Sequence, residues 1–114
     1  MKHSKIEFGD KLYIVVRNDL LPGQCASQIT HCAFQFAKEH PNITMNWMEN
    51  SNFICLLQVK NEEELADLAA EAIRLNLAHS EFREPDYDNS LTAVAVEPGQ
   101  KTRELMKRLK LAFS

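Results

Sequence analysis

A three-layer α/β/α domain with a mixed four-stranded sheet is the fold this sequence predicts, and three features predict it. Two runs, Lys11–Arg17 and Phe53–Val59, are almost wholly aliphatic and β-branched, the pattern of strands buried on both faces. The segments that follow each run carry apolar residues at helical spacing. The resulting order of strand, helix, helix, strand, helix, strand, strand, helix calls for a sheet with helices packed on both sides.

The first strand, Lys11-Leu12-Tyr13-Ile14-Val15-Val16-Arg17, ends at Asn18-Asp19, and Leu20-Leu21-Pro22-Gly23 breaks it. From Gln24 the pattern becomes helical, with Cys25, Ala26, Ile29, Cys32, Ala33, Phe36 and Ala37 on one side, and Pro41 stops it near His40. Asn42 to Asn50 reads as a short second helix with Ile43 and Trp47 one turn apart. After the strand Phe53–Val59, Asn61 supplies a helix cap and Glu62, Glu63 and Glu64 place three carboxylates at the positive end of the dipole. Leu65, Leu68, Ala69, Ala72, Ile73 and Leu75 form the stripe behind them. Ala78 to Arg83 is a short, polar strand suited to a sheet edge. Glu84 to Ser90 is a loop, Leu91–Val96 a buried fourth strand, and Pro98-Gly99 turns into a final amphipathic helix with Leu105, Met106 and Leu109 inward. Residues 1–10 read as an N-terminal extension to one domain over 11–114.

With 114 residues and 45% hydrophobic content, the chain can fill one core without staples. No run approaches the roughly 18 apolar residues of a membrane span, and Met1-Lys2-His3-Ser4-Lys5 is not followed by an apolar signal region, so the expected location is cytoplasmic. Cys25, Cys32 and Cys55 are an odd number without CxxC spacing, which argues against a disulfide framework and a zinc ribbon. The net charge of −3 excludes a generally basic nucleic-acid binder. Its distribution is uneven: residues 100–114 hold five basic groups against one acid, and residues 18–99 hold four against thirteen. Termini brought together by the fold would make a small cationic surface on an acidic protein.

Ligands of such sheets bind beyond the carboxyl ends of strands, which directs attention to the loops after Arg17 and Arg83. Gln24, Gln28, His31 and Gln35 are spaced by four, three and four and so line one uncharged stripe of the first helix. That stripe is either a solvated surface or a site in which helix N–H groups around Gly23 receive an anion or carbonyl oxygen, with Gln28 and His31 beside it. His31 is either a packing residue or an acid/base group near neutral pH. Most of Glu81, Glu84, Asp86 and Asp88 read as solvated charge. Glu84, restrained by Pro85, is the one placed to orient a water or a sugar hydroxyl. Ser90 and Thr92 offer hydroxyls nearby.

Three blocks in this chain resemble the type II peptidyl-tRNA hydrolase family, closest to its divergent domain-containing branch: Tyr13-Ile14-Val15-Val16-Arg17-Asn18-Asp19-Leu20, Ala26-Ser27-Gln28-Ile29-Thr30-His31-Cys32-Ala33, and Leu91-Thr92-Ala93-Val94-Ala95-Val96-Glu97-Pro98-Gly99 with the helix after it. The similarity runs from about Lys11 to Phe113. It implies a cytoplasmic domain, free of metal and cofactor, that hydrolyses the ester between a peptide and the 3′ end of a tRNA. Arg17, Asp19, Gly23, Gln24, Gln28 and His31 would then lie near the acceptor end and Thr92 on the adjoining strand. His31 or a carboxylate such as Glu84 would orient water, Gln28 and helix N–H groups would serve as oxyanion donors, and Arg103, Lys107 and Lys110 would contact phosphates. Family members carry a lysine just before the helix; this chain has Gln24, and Leu20 to Cys25 contains no basic residue. Glu84-Pro85-Asp86-Tyr87-Asp88 stands where they have an aspartate followed by Gly-Arg/Thr. A non-catalytic tRNA- or protein-binding module of the same fold is the alternative, and a different small-ester or amide hydrolase the third reading. The sequence leaves the oligomeric state open, a homodimer included.

Overall fold

The computed structural model describes residues 5–114. Strand β1 (Lys11–Arg17) is followed by helices α1 (Pro22–Glu39) and α2 (Pro41–Asn50), strand β2 (Phe53–Val59), helix α3 (Glu62–Arg74), strands β3 (His79–Glu84) and β4 (Ser90–Val96), helix α4 (Gln100–Met106) and strand β5 (Lys110–Leu111). The sheet order is β3-β4-β1-β2-β5; β1 and β2 are parallel and the other pairs antiparallel.

Local chemistry sets the element ends. Pro22 opens α1, and the Gln24 side-chain oxygen reaches back to accept from the Leu21 N–H at 3.0 Å, one half of a capping box. Pro41 separates α1 from α2 because its ring cannot continue the preceding helix. Asn61 caps α3 by accepting from the Glu64 N–H, while the Glu64 carboxylate accepts from the Lys60 N–H.

Alternation along β1 builds two cores. Leu12, Ile14 and Val16 pack with Cys25, Ile29, Cys32 and Phe36 of α1 and with Trp47 of α2. Tyr13 and Val15 face Leu65, Leu68, Ala69 and Ala72 of α3 and Met106 of α4. The three layers are those expected. Burial raises the thiols of Cys25, Cys32 and Cys55 above their ordinary value, Cys32 to about 12, so they pack as apolar groups.

Two expectations are corrected. The sheet has five strands, because the chain after Met106 leaves the helix and pairs Leu111 with Leu57 and Lys110 with Gln58. Unpaired backbone groups along the outer edge of β2 offer the chain end hydrogen bonds that a longer surface helix would leave unused. Accordingly α4 stops at Met106, and Leu109 reaches the core from a turn. The third strand spans His79–Glu84 rather than Ala78–Arg83, and it does form a sheet edge. Of the N-terminal stretch 1–10, residues 1–4 lie outside the described residues, while Ile6 is buried against the α1 side of the sheet.

Candidate active site

At the carboxyl end of β1 the start of α1, the end of β3 and the start of β4 come together, and Gln28 links them. Its side chain is 2% exposed; Nε2 donates to Glu84 Oε1 at 2.9 Å, and Oε1 accepts from the Thr92 hydroxyl at 2.6 Å. A carboxylate only accepts, so the amide nitrogen must face Glu84. The other Glu84 oxygen accepts from the Asp86 N–H at 3.2 Å. The Gln28 hydrogen bond first, then the Asp86 N–H, and more weakly the His31 imidazole, hold the Glu84 carboxyl below the usual carboxylate range.

A bulge aims Thr92. Phe82 pairs with Ala93 and Arg83 with Leu91, which leaves Thr92 as the extra residue of β4. Leu91 therefore packs on the α3 side and Ala93 on the α1 side, and the Thr92 hydroxyl turns to Gln28 instead of following Val94 and Val96.

The stripe read from spacing is real, and it docks on β3. Gln28 meets Glu84, the His31 ring stacks on Phe82 with centroids 4.8 Å apart and planes 8° from parallel, and Gln35 donates to the Glu81 carbonyl at 2.9 Å. His31 is exposed and forms no hydrogen bond among the described residues. Gln24 caps the helix, as above. Gly23 is exposed, and a Cβ built there meets nothing within 4 Å, so the fold leaves the space over the helix start open.

Arg17 is committed to the scaffold. Nε and Nη2 form a fork on the Asp19 carboxylate at 2.7 and 2.8 Å, and Nη1 donates to the Leu91 carbonyl at 3.3 Å. The Arg17 hydrogen bond holds the Asp19 carboxyl below its ordinary value. Glu62 accepts from the Leu91 N–H at 2.7 Å and lies 3.8 Å from Arg17 Nη1, so it fixes the start of β4 from α3. Sequence reasoning counted Glu62 only among helix-dipole carboxylates; no spacing rule connects it to Leu91, 29 residues away. Phe82 was likewise missed, since a single aromatic in a polar strand carries no signal of what stacks on it.

The terminal cations do not gather at Gln28. Lys107 is ion-paired with Glu104 at 3.1 Å, and Arg103 weakly opposes the rise that burial imposes on the Tyr13 phenol, which packs on the α3 side of the sheet. Lys110, on β5, joins Arg108, Lys60 and Asn18 around a concavity of about 220 Å³ flanking the β1 and β2 ends. A larger concavity, about 870 Å³, lies at the opposite end between Arg74, Pro98 and Lys101 and includes none of the stripe residues. Among the described residues, no group of three His, Cys, Asp or Glu is arranged to hold a metal, and no helix is long and apolar enough to cross a membrane.

A solved structure of a protein of unknown function from Agrobacterium tumefaciens str. C58 shares the fold, with a TM-score of 0.67 at 15% identity over 91% of this chain and 98% of that one. A peptidyl-tRNA hydrolase of Thermococcus sibiricus (strain DSM 12597 / MM 739) is 29% identical over 102 residues, covering 81% of this chain and 86% of the relative. The family model for peptidyl-tRNA hydrolase PTH2 matches residues 10–112, nearly the whole described domain, and the chain therefore belongs to the peptidyl-tRNA hydrolase PTH2 family.

Proposed function

We propose that this protein hydrolyses the ester joining a peptide to the 3′ end of a tRNA in the cytoplasm, with the acceptor end held where α1, β3 and β4 meet. The observation that carries the reading is the Thr92–Gln28–Glu84 chain, a buried polar relay ending in an ionised carboxylate at an open corner. Ester hydrolysis needs a positioned water and donors for the developing oxyanion. Of the two groups considered for the water, Glu84 is favoured: both its oxygens are oriented, and a carboxylate kept ionised attracts a water proton while the oxygen attacks the ester carbon.

Gln28 holds Glu84 in place, and Thr92 holds Gln28. The free N–H groups at the start of α1, over which Gly23 leaves room, are suited to receive the oxyanion. Arg17 and Asp19 fix the strand end that carries the corner, and Gln24 fixes the helix start. His31 lines the mouth and contacts the acceptor end. Lys110 is suited to acceptor-stem phosphates, and neutralising Arg103, Lys107 and Lys110 together lowers tRNA affinity and flattens its salt dependence.

The test is release of free tRNA from an N-blocked aminoacyl-tRNA by purified protein, alongside Glu84→Gln and Gln28→Met. Wild-type release with at least about a tenfold loss in Glu84→Gln is expected for removal of the water-orienting group. No release above background from folded wild-type protein would defeat the enzymatic reading; full activity in Glu84→Gln would defeat the role of that residue.

A further inference from the structure

We propose that His31 and Phe34 form a stacking surface for the unpaired bases at the 3′ end of the acceptor, with His31 taking the terminal purine. This inference rests on the reading of the corner as an acceptor-end site. One face of the His31 ring is already occupied by Phe82, nearly parallel with centroids 4.8 Å apart. That contact fixes the imidazole plane, while the residue itself remains exposed. Phe34 follows three positions later on the same helix surface and is 73% exposed, an apolar ring left in water one turn from His31. Isolated exposed aromatics need no explanation, but two on one helix face beside an oriented carboxylate make a flat, π-faced strip next to the reacting centre.

Charge at this corner points the same way. Arg17 is forked onto Asp19, and Arg83 lies 3.6 Å from Glu81. Glu84, Asp86 and Asp88 follow at the loop, and Leu20 to Cys25 carries no cation. Phosphates at the tip of the acceptor therefore meet a surface of the wrong sign, and the grip on the single strand must come from its bases. Unstacked bases bind aromatic faces with little dependence on salt, and a ring backed by a second ring loses no rotamer freedom when the base arrives. Stacking the terminal base on His31 holds the adjoining ribose, and with it the ester, beside Glu84. His31 thereby acts through its ring face.

The test uses an acceptor-stem RNA hairpin with a single-stranded 3′ end in which the terminal adenine is replaced by 2-aminopurine, whose fluorescence falls when it stacks. The full chain is titrated with this probe and needs no turnover. Wild-type protein is expected to quench it, His31→Ala to weaken binding about tenfold or more, and His31→Phe to recover the quenching, since a phenyl ring stacks but carries no proton. Phe34→Ser is expected to weaken quenching of a probe placed one nucleotide further in. Both side chains are exposed, so thermal melts identify any variant that misfolds. Quenching by His31→Ala equal to wild type, or His31→Phe no better than His31→Ala, would overturn the proposal. So would a fall in affinity for the single-stranded end of more than about a hundredfold between about 50 and 200 mM salt, which would assign the grip to phosphates. Quenching without hydrolysis would defeat the enzymatic reading and leave the stacking surface standing; hydrolysis without quenching would do the reverse.

Discussion

Thr92→Val isolates the buried relay. The substitution keeps the shape of a fully buried side chain and removes one hydroxyl, leaving the Gln28 Oε1, in a residue 2% exposed, without the donor now at 2.6 Å. An orphaned buried acceptor costs about 1–3 kcal/mol, larger than the net value of the hydrogen bond itself. For a chain of 114 residues, about 1 kcal/mol moves the melting midpoint by roughly 4 °C, so a drop of roughly 4–12 °C is expected. The amide is then free to turn toward another donor, Glu84 loses its fixed partner, and kcat should fall by about tenfold or more, since displacements near 1 Å can cost about a hundredfold. Thermal unfolding and single-turnover hydrolysis on the same preparation read both effects. Adding Gln28→Met separates them: with both buried partners apolar, stability returns toward wild type while activity stays low. A Thr92→Val melt within about 2 °C of wild type, or hydrolysis recovered in the double variant, would refute the relay.

Gly23→Ala should melt no lower than wild type, because the added Cβ meets nothing within 4 Å and alanine is favoured in a helix by about 0.5–1 kcal/mol; hydrolysis should nevertheless fall, and unchanged rates would remove the helix start from the substrate site. Glu84 has a lowered folded pKa, so its bonds to Gln28 and Asp86 persist at neutral pH and are lost as pH falls through that lowered value. The pH–rate profile should accordingly hold level down to about pH 5 and break below the usual carboxylate value of about 4.3, whereas a limb near neutrality would hand the proton chemistry to a histidine. Arg17→Lys abolishes the fork on Asp19 and should cost about 1 kcal/mol at pH 7 by chemical denaturation, after allowance for the half-exposed carboxylate. That deficit should vanish as Asp19 protonates, below about pH 3.9, and a deficit unchanged at about pH 2 would show that the fork is not its cause.

The sequence by itself determined the positions of β1 and β2, the four helices and the stripe on α1, because each is written in local periodicity, capping or proline placement; burial on both faces held for β1, while in β2 only Leu57 and Val59 are buried. Gln28 and His31 were legible as neighbours on one helix face, and the blocks around them identified the family. The separation of roles along that stripe was not. Whether Gln28 is buried and His31 exposed depends on where β3 lies against α1, a contact between segments more than 40 residues apart. The fifth strand was hidden because its two residues follow a helical pattern, and only the open edge of β2 gives them a reason to extend. Alternation along β4 would turn Thr92 to the α3 side with Val94 and Val96. The bulge opposite Phe82 and Arg83 turns it to Gln28 instead, and a one-residue offset between two strands is a property of their pairing, which no single strand encodes.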